Sequence, residues 1–115
     1  MNADIQMVPM QEKHIPALAQ LERLCFSQPW TENGLRSELH NKLAVFCVAE
    51  QNGQVLGYAG MQCVMGECYI NNIAVFPQFR GMGIGTRLVQ MLIEQAIQRN
   101  GVFISLEVRV SNQQA

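Results

Sequence analysis

The residues of this chain best suited to chemistry form one glycine-rich run, Arg80-Gly81-Met82-Gly83-Ile84-Gly85-Thr86. Glycines at alternate positions let the backbone approach a ligand closely, because no Cβ stands in the way. A strand-like segment precedes the run and a long amphipathic stretch follows it, so the run opens a helix. The first turn of a helix has unpaired N–H groups at the positive end of the helix dipole. The spacing therefore predicts a cradle for an anion such as phosphate or pyrophosphate.

Two other phosphate loops do not fit this spacing. A P-loop needs a lysine directly after its last glycine, and no lysine follows Lys42 in this chain. A dinucleotide-binding fingerprint follows the first strand of a βαβ unit, whereas several elements precede the run here. A structural alternative remains, in which Gly83 and Gly85 allow the helix to pack tightly on a sheet.

The flanking sequence predicts the elements that must position this loop. Ile5 and Met7 indicate a short first strand, and apolar residues at helical spacing predict a helix over residues 11–26. Thr31 offers an N-cap for a second helix. Strands over 43–50, 55–64 and 67–76 then follow as antiparallel neighbours, with turns at Asn52-Gly53 and Met65-Gly66.

The end of the chain predicts a helix and one more strand. The helix covers residues 84–99, and Asn100-Gly101 ends it. Alternation over residues 102–110 places Ile104, Leu106, Val108 and Val110 on a buried face. A strand, a helix and a strand in succession make the last strand parallel to the strand over 67–75. The predicted fold class is α/β (α+β), a mixed and mostly antiparallel sheet with helices on both faces.

Size and composition limit the possible functions. The 115 residues fit one domain, and 49% hydrophobic content with 15% charged residues supports one core. A net charge of −1 with scattered basic residues argues against nucleic-acid binding. Neither an apolar stretch of bilayer length nor a leader sequence is visible, so we expect a cytoplasmic protein that does not bind membranes.

The cysteines predict no metal site. Cys25, Cys47, Cys63 and Cys68 lack paired CxxC spacing and nearby histidines, so we expect small buried hydrophobic side chains and no metal. If Met65-Gly66 is a two-residue turn, Cys63 lies opposite Cys68 within disulfide reach. In a reducing cytosol we expect free thiols, with an oxidised pair as the lesser alternative.

The glycine run, by its spacing Arg-x-x-Gly-x-Gly, resembles the acyl-coenzyme A loop of the GNAT N-acetyltransferase superfamily. The predicted order of strands and helices is also similar to that of the GNAT fold. Three further segments resemble the RimI-type members, which acetylate the N-terminal alanine of a small-subunit ribosomal protein. They read CFSQPWTE at residues 25–32, NIAVFP at 72–77 and LEVRVSN at 106–112.

The resemblance implies an acetyl-CoA-dependent N-acetyltransferase that acts directly on an amine, the N-terminus of a protein or peptide. In that family, backbone groups of the strand before the glycine loop hold the pantetheine arm and polarise the acetyl carbonyl. Main-chain N–H groups of the glycine loop itself hold the pyrophosphate. The matching strand residues here are Ile73, Ala74 and Val75. The matching loop residues are Gly81, Met82, Gly83, Ile84, Gly85 and Thr86. Arg80 would add charge beside them, with a solvated loop arginine as the alternative.

Three side chains receive roles from the same resemblance. Glu107 matches the general base that takes a proton from the incoming ammonium, Asn112 matches a residue that contacts the cofactor, and Trp30 is expected to line the peptide site. Each role has an alternative. Glu107 could be a solvated glutamate paired with Arg109, Asn112 a turn residue, and Trp30 a core or loop anchor.

The sequence departs from the RimI-type pattern at its end. That pattern continues into a further helix, with a tyrosine as general acid, and into more strands, and neither Tyr58 nor Tyr69 matches the tyrosine. We therefore expect residues 1–115 to be one acyl-CoA-binding domain that is incomplete at the C-terminus, and turnover to be slowed. An exposed sheet edge favours self-association, with a homodimer as one form, or a fragment of a longer reading frame. The alternative functions are a non-catalytic acyl-CoA-binding or assembly module and an inert fragment.

Overall fold

A computed structural model of the chain describes residues 4–106. The strands are β1 (Gln6–Pro9), β2 (Ala44–Gln51), β3 (Gln54–Val64), β4 (Glu67–Val75) and β5 (Phe103–Leu106). The α-helices are α1 (Ile15–Cys25), α2 (Glu32–Glu38) and α3 (Ile84–Gln98), and two short 3-10 turns cover Glu12–His14 and Pro77–Phe79. None of the helices in this part of the chain is long and apolar enough to cross a membrane.

The strands form one sheet in the order β1-β2-β3-β4-β5. The pairs from β1 to β4 are antiparallel, and β5 is parallel to β4. This arrangement confirms the predicted mixed, mostly antiparallel sheet. The described contacts between β4 and β5 run from the Glu67–Phe103 pair to the Ile70–Leu106 pair.

Helices cover the two faces of the sheet and create two apolar cores. One core lies under α1 and α2 and includes Leu18, Leu21, Leu35, Val48 and Tyr58. The other lies under α3 and includes Leu56, Met61, Leu88, Leu92 and Ile70. Burial of these side chains is the main favourable term that holds each helix on the sheet.

Local signals account for most element boundaries. The Thr31 hydroxyl accepts a hydrogen bond from the Gly34 N–H at 3.0 Å and so caps α2. At the end of α3, Asn100 adopts a left-handed conformation with φ 61°, and the Gly101 N–H donates to the Ala96 carbonyl at 2.8 Å. The predicted second helix and the predicted end of the third are confirmed.

A β-bulge interrupts β4. Gly60 lies opposite Asn72 and Met61 lies opposite Ile70, so Asn71 is an extra residue in β4. Before the bulge, Cys68 and Ile70 pack into the core under α3. After it, Asn72 bonds to Tyr58, and Ala74 packs into the core under α1. The bulge therefore reverses which residues of β4 face each helix layer, directly after the last described contact with β5.

The last strand differs from the prediction at Leu106. We expected Leu106 on a buried face, but its side chain is 60% exposed. Ile104, two residues earlier, packs against the core under α3. The described elements leave the Leu106 end of β5 largely uncovered. The alternation of apolar and polar residues alone therefore overestimates the burial of Leu106. Val108 and Val110 lie outside the described residues.

The cysteine pair also differs from the prediction. Cys63 and Cys68 form a disulfide, with their Cα atoms 4.1 Å apart, so the expectation of free thiols is wrong. The predicted register that places them opposite each other is confirmed. The Cys63 N–H donates to the Leu43 carbonyl on the opposite side. The two cysteines are therefore a non-hydrogen-bonded cross-strand pair, in which the strands come closest. Cys25 and Cys47 are not part of a disulfide, and both are buried.

Cys47 should make the fold sensitive to alkaline pH. Burial raises the pKa of its thiol from 9.0 to about 12. Its contribution to stability is complete below the thiol pKa of the unfolded chain and is lost as pH rises towards the folded value. Within that window, the free energy of unfolding should fall by up to about 1.4 kcal/mol per pH unit. Denaturant melts of Cys47→Ala should show most of this fall removed.

Val48→Ala is the matched control, because it shortens a neighbouring buried side chain without removing a titratable group. Its stability should be lower at every pH, with the slope of the wild-type chain. A wild-type slope in Cys47→Ala would contradict the assignment.

Candidate functional site

The glycine run connects the end of β4 to the start of α3. After Val75 the chain makes the 3-10 turn Pro77–Phe79 and then enters the loop. Gly81 and Gly83 have φ values of 82° and 78°, in the left-handed region that glycine adopts without strain. Gly83 is the N-cap of α3 and supplies no side-chain cap, so the N–H groups of the first turn are left for another acceptor.

The space beside the three glycines is open. A Cβ added at Gly81, Gly83 or Gly85 would meet no described heavy atom within 4 Å. Tight packing of the helix on the sheet therefore does not explain Gly83 and Gly85. A side chain would project into the volume that a ligand can occupy. The open space and the unpaired amides at the start of α3 together fit a pyrophosphate.

A cavity of about 250 Å³ lies against this loop. Its lining residues are Val75, Phe79, Arg80, Gly81, Gly83, Ile84, Gly85 and Thr86. The structure thus brings together seven of the residues that the sequence predicted for the cofactor. Met82 is not in the lining, and its side chain is exposed. Ile84 is buried in the core under α3, so its backbone is the part available to a ligand.

Arg80 joins two elements beside the cavity. Its Nε donates to the Val75 carbonyl at 3.0 Å, and its guanidinium also donates to the Cys25 Sγ at 3.3 Å. These contacts tie the end of β4 to the end of α1. The charge of Arg80 is therefore held at the rim of the cavity by contacts with the protein.

The Cys25 thiol next to Arg80 is not activated. Burial raises its pKa, and the charge of Arg80 and their hydrogen bond lower it by less. The thiol therefore stays protonated at neutral pH, whereas a nucleophilic cysteine needs the opposite shift. Within residues 4–106, no three His, Cys, Asp or Glu side chains form a group that could hold a metal ion.

The strand residues predicted to hold the pantetheine arm lie beyond the bulge. Ile73 pairs with Ala59 and Ala74 pairs with Tyr58, so one edge of this segment is occupied by β3. Their side chains pack into the two cores. No described residue of β5 pairs with residues 71–75. The backbone on that edge is therefore the part of this segment that a ligand could bind.

Trp30, which was predicted to line the peptide site, is not among the described residues that line this cavity. Trp30 lies in the loop between α1 and α2, packs against the core under α1 and donates its backbone N–H to Glu22. Glu107 and Asn112 lie outside the described residues, and their roles stay predictions. Tyr58 and Tyr69 donate their hydroxyls to Glu22 and Glu67.

Sequence reasoning missed Phe79 and Glu22. Phe79 lines the cavity, and its only signal is its place between the strand and the glycine run. Glu22 is fully buried. Its signal was available, because position 22 falls on the apolar stripe of α1 that includes Leu18 and Cys25.

A larger cavity of about 390 Å³ lies elsewhere, between the start of α1 and the turn that joins β2 to β3. Lys13, His14, Gln20 and Gln54 are among its lining residues. None of the predicted site residues lines it. The smaller cavity at the glycine run is therefore the candidate site, because the predicted chemistry converges there.

Sequence comparison relates the chain to known acetyltransferases. The profile of the acetyltransferase (GNAT) family matches residues 15–115. A Bacillus subtilis protein named as a candidate ribosomal protein bS18-alanine N-acetyltransferase is 36% identical over 107 residues, which cover 92% of this chain and 71% of the relative. The Escherichia coli ribosomal protein bS18-alanine N-acetyltransferase is 31% identical over 103 residues, 90% of this chain and 69% of the relative.

Structure comparison gives the same relation. The crystal structure of the ribosomal-protein-alanine N-acetyltransferase of Escherichia coli has a TM-score of 0.81 and 28% identity, covering 95% of this chain and 70% of that chain. The PaiA N-acetyltransferase of Thermoplasma acidophilum, solved in complex with coenzyme A, has a TM-score of 0.80. Its identity is 12%, over 90% of this chain and 78% of that chain, so it shows a shared fold alone.

Replacing Gly83 should weaken the binding of coenzyme A. Gly83→Ala places a Cβ in the open space of the cavity and imposes a left-handed backbone on alanine, which costs about 1–2 kcal/mol. We expect a melting temperature several degrees lower, and a dissociation constant for coenzyme A, measured by calorimetry, at least about tenfold higher.

Gly53→Ala separates the two effects. Gly53 has φ 79° and equally open surroundings, but it lies in the turn between β2 and β3. It should cost similar stability and leave the affinity for coenzyme A unchanged. Equal affinities in the two variants would show that the glycine run is not the binding site.

Proposed function

The chain belongs to the acetyltransferase (GNAT) family, and we propose that it acetylates the N-terminal α-amino group of a protein, of the ribosomal-protein-alanine type. As a member of that family it is an acetyl-CoA-dependent N-acetyltransferase. The acceptor is proposed from the relatives in Bacillus subtilis and Escherichia coli, which are named for the N-terminal alanine of a ribosomal protein. An acceptor of this kind would place the reaction in the cytoplasm.

The observation that carries the proposal is the cavity at the start of α3. Gly81, Gly83 and Gly85 leave it open, and the N–H groups of the first helical turn lie beside it. An anionic pyrophosphate is stabilised at such a helix end by hydrogen bonds and by the helix dipole. Arg80 adds a fixed positive charge at the rim. Binding there would orient the rest of acetyl-CoA along residues 71–75 of β4, on the edge that no described residue of β5 pairs with.

The proposed chemistry needs one proton acceptor from the protein. Acetyl-CoA supplies the acetyl thioester. Glu107 accepts a proton from the α-ammonium group of the acceptor, directly or through water, because only the neutral amine has a lone pair for attack. The C–N bond forms as the C–S bond breaks and the coenzyme A thiolate leaves, and the second proton lost by the attacking nitrogen passes to that thiolate, directly or through water. A thiol has a pKa of about 8.5, so this thiolate can leave without a strong general acid.

Direct transfer is favoured over an acetyl-cysteine intermediate. The two thiols outside the disulfide, Cys25 and Cys47, are buried. Burial raises the pKa of both, to about 12 for Cys47. Neither thiol is therefore prepared for attack on a thioester.

Self-association as a homodimer stays a prediction. Phe103 and Leu106 on β5 are 45% and 60% exposed, which leaves apolar surface at this end of the described sheet. Such a surface favours contact with another chain. Sedimentation at several protein concentrations would measure the oligomeric state.

Replacing the proposed base should abolish most of the turnover without loss of binding. With acetyl-CoA and an alanine-starting peptide, Glu107→Gln should lower kcat by about 10²- to 10⁴-fold, because the amide cannot accept the proton. Thiol release measures the rate, and calorimetry should give an unchanged affinity for coenzyme A.

Glu94→Gln is the matched control, since it makes the same change on the exposed face of α3 and should keep full activity. A wild-type chain that binds coenzyme A and releases no thiol would support the non-catalytic module instead. A Glu107→Gln variant as active as wild type would remove the base assignment.

Direct transfer predicts that the enzyme is never acetylated on cysteine. Intact-mass spectra recorded after mixing with acetyl-CoA alone should show the unmodified chain, because the Cys25 and Cys47 thiols stay protonated at neutral pH. An acetyl adduct that disappears on addition of the acceptor peptide would contradict direct transfer. A Cys47→Ala sample tests whether any adduct depends on that thiol.

A further inference from the structure

A fully buried carboxylate lies between the α1–α2 loop and the sheet. Glu22 on α1 has no exposed surface. Its Oε1 accepts the backbone N–H of Trp30 at 2.9 Å, and its Oε2 accepts the hydroxyl of Tyr58 at 2.5 Å. A buried carboxylate is costly unless hydrogen bonds compensate for lost hydration. Here one carboxylate spans two elements, with one oxygen bonded to each.

The contacts continue from Tyr58 to β4. The Asn72 Nδ2 donates to the Tyr58 hydroxyl oxygen at 3.4 Å. Tyr58 is fully buried and Asn72 is 3% exposed. The chain of contacts thus runs from the Trp30 backbone through Glu22 and Tyr58 to Asn72. It connects the loop after α1 with β3 and β4.

The position of this network follows from the β-bulge. Without the extra residue Asn71, alternation would turn Asn72 towards α3 and away from Tyr58. Tyr58 also pairs directly with Ala74, which belongs to the segment proposed to hold the acyl arm. The network therefore ends one residue from Ile73, on the part of β4 that follows the bulge.

We propose that Glu22, Tyr58 and Asn72 are positioning residues that fix the loop between α1 and α2, which contains Trp30, relative to residues 73–75 of β4. The inference deepens the proposed function and rests on it. Glu22 holds Trp30 by its backbone, in addition to the packing of the indole against the core under α1. Two reactants held in a defined relative position react faster, and a displacement of about 1 Å can cost 10²-fold in rate. An apolar core could fill the same space, but it would not impose directional contacts.

Tyr58→Phe tests this role, because it removes one hydroxyl and keeps the buried ring. With an alanine-starting peptide, kcat should fall and the KM for the peptide should rise, so that kcat/KM falls at least about tenfold, while the KM for acetyl-CoA changes less than about twofold. Trp30 is the only tryptophan of the chain, so its fluorescence reports directly on the loop. Quenching by acrylamide should increase in Tyr58→Phe, because the loop is less firmly held.

Tyr69→Phe is the matched control. The chain has two tyrosines, and the Tyr69 hydroxyl donates to Glu67 in an exposed position outside the network. This variant should leave both KM values and the quenching of Trp30 unchanged.

Glu22→Gln is the second test. The glutamine keeps one oxygen to accept the Trp30 N–H, but it places an NH2 group, which cannot accept a hydrogen bond, opposite the Tyr58 hydroxyl. It should raise the peptide KM and the quenching in the same direction.

The results separate a positioning role from a purely structural one. Lower thermal stability in Tyr58→Phe and Glu22→Gln, with wild-type quenching and equal changes in both KM values, would overturn the proposal. If Tyr58→Phe does not fold, Glu22→Gln decides by the same criteria. A wild-type chain that releases no thiol would contradict the proposed function, whereas the quenching comparison would still decide whether the network holds the loop.

Discussion

The β-bulge at Asn71 is the constraint on which the arrangement around β4 depends. A one-residue change of register moves every following side chain to the opposite face of a sheet. Cys68 and Ile70 therefore face α3, while Asn72 and Ala74 face α1. The change occurs where the described pairing with β5 ends. One extra residue thus coincides with the end of the described pairing between β4 and β5, and it also places a polar side chain, Asn72, in the core under α1.

The cavity at the glycine run depends on the path of the chain after β4. The chain leaves the sheet at Val75, and Arg80 bonds to the Val75 carbonyl and to Cys25. These contacts hold the loop to the ends of β4 and α1. The left-handed glycines can keep their backbone conformation without side-chain support. This preorganisation matters for anion binding, because amides that already point at the ligand need no reordering when it binds.

Local signals in the sequence were enough for most of the fold. Thr31, Asn52-Gly53, Met65-Gly66 and Asn100-Gly101 act within a few residues, and the helices and turns they predict are present. The bulge was not predicted, because the extra residue is defined only by the pairing of β4 with β3. The predicted burial of Leu106 was wrong for a related reason, since the burial of a strand residue depends on which elements cover the strand. The glycine run was located from its spacing. The burial of Glu22 could have been read from its place on the apolar stripe of α1, but its partner Tyr58 is 36 residues away, and only the fold brings the two together.

The buried polar network has a stability cost that packing alone does not require. A carboxylate surrounded by apolar side chains loses its hydration, and replacing such groups with apolar residues is often neutral or stabilising. Glu22 nevertheless lies on the apolar stripe of α1, with no exposed surface. What it provides is geometry, because hydrogen bonds to Trp30 and Tyr58 specify distance and direction, whereas apolar contacts specify mainly volume. A reaction that must bring an amine and a thioester together depends on such defined positions, and a less stable but more specific core would serve it.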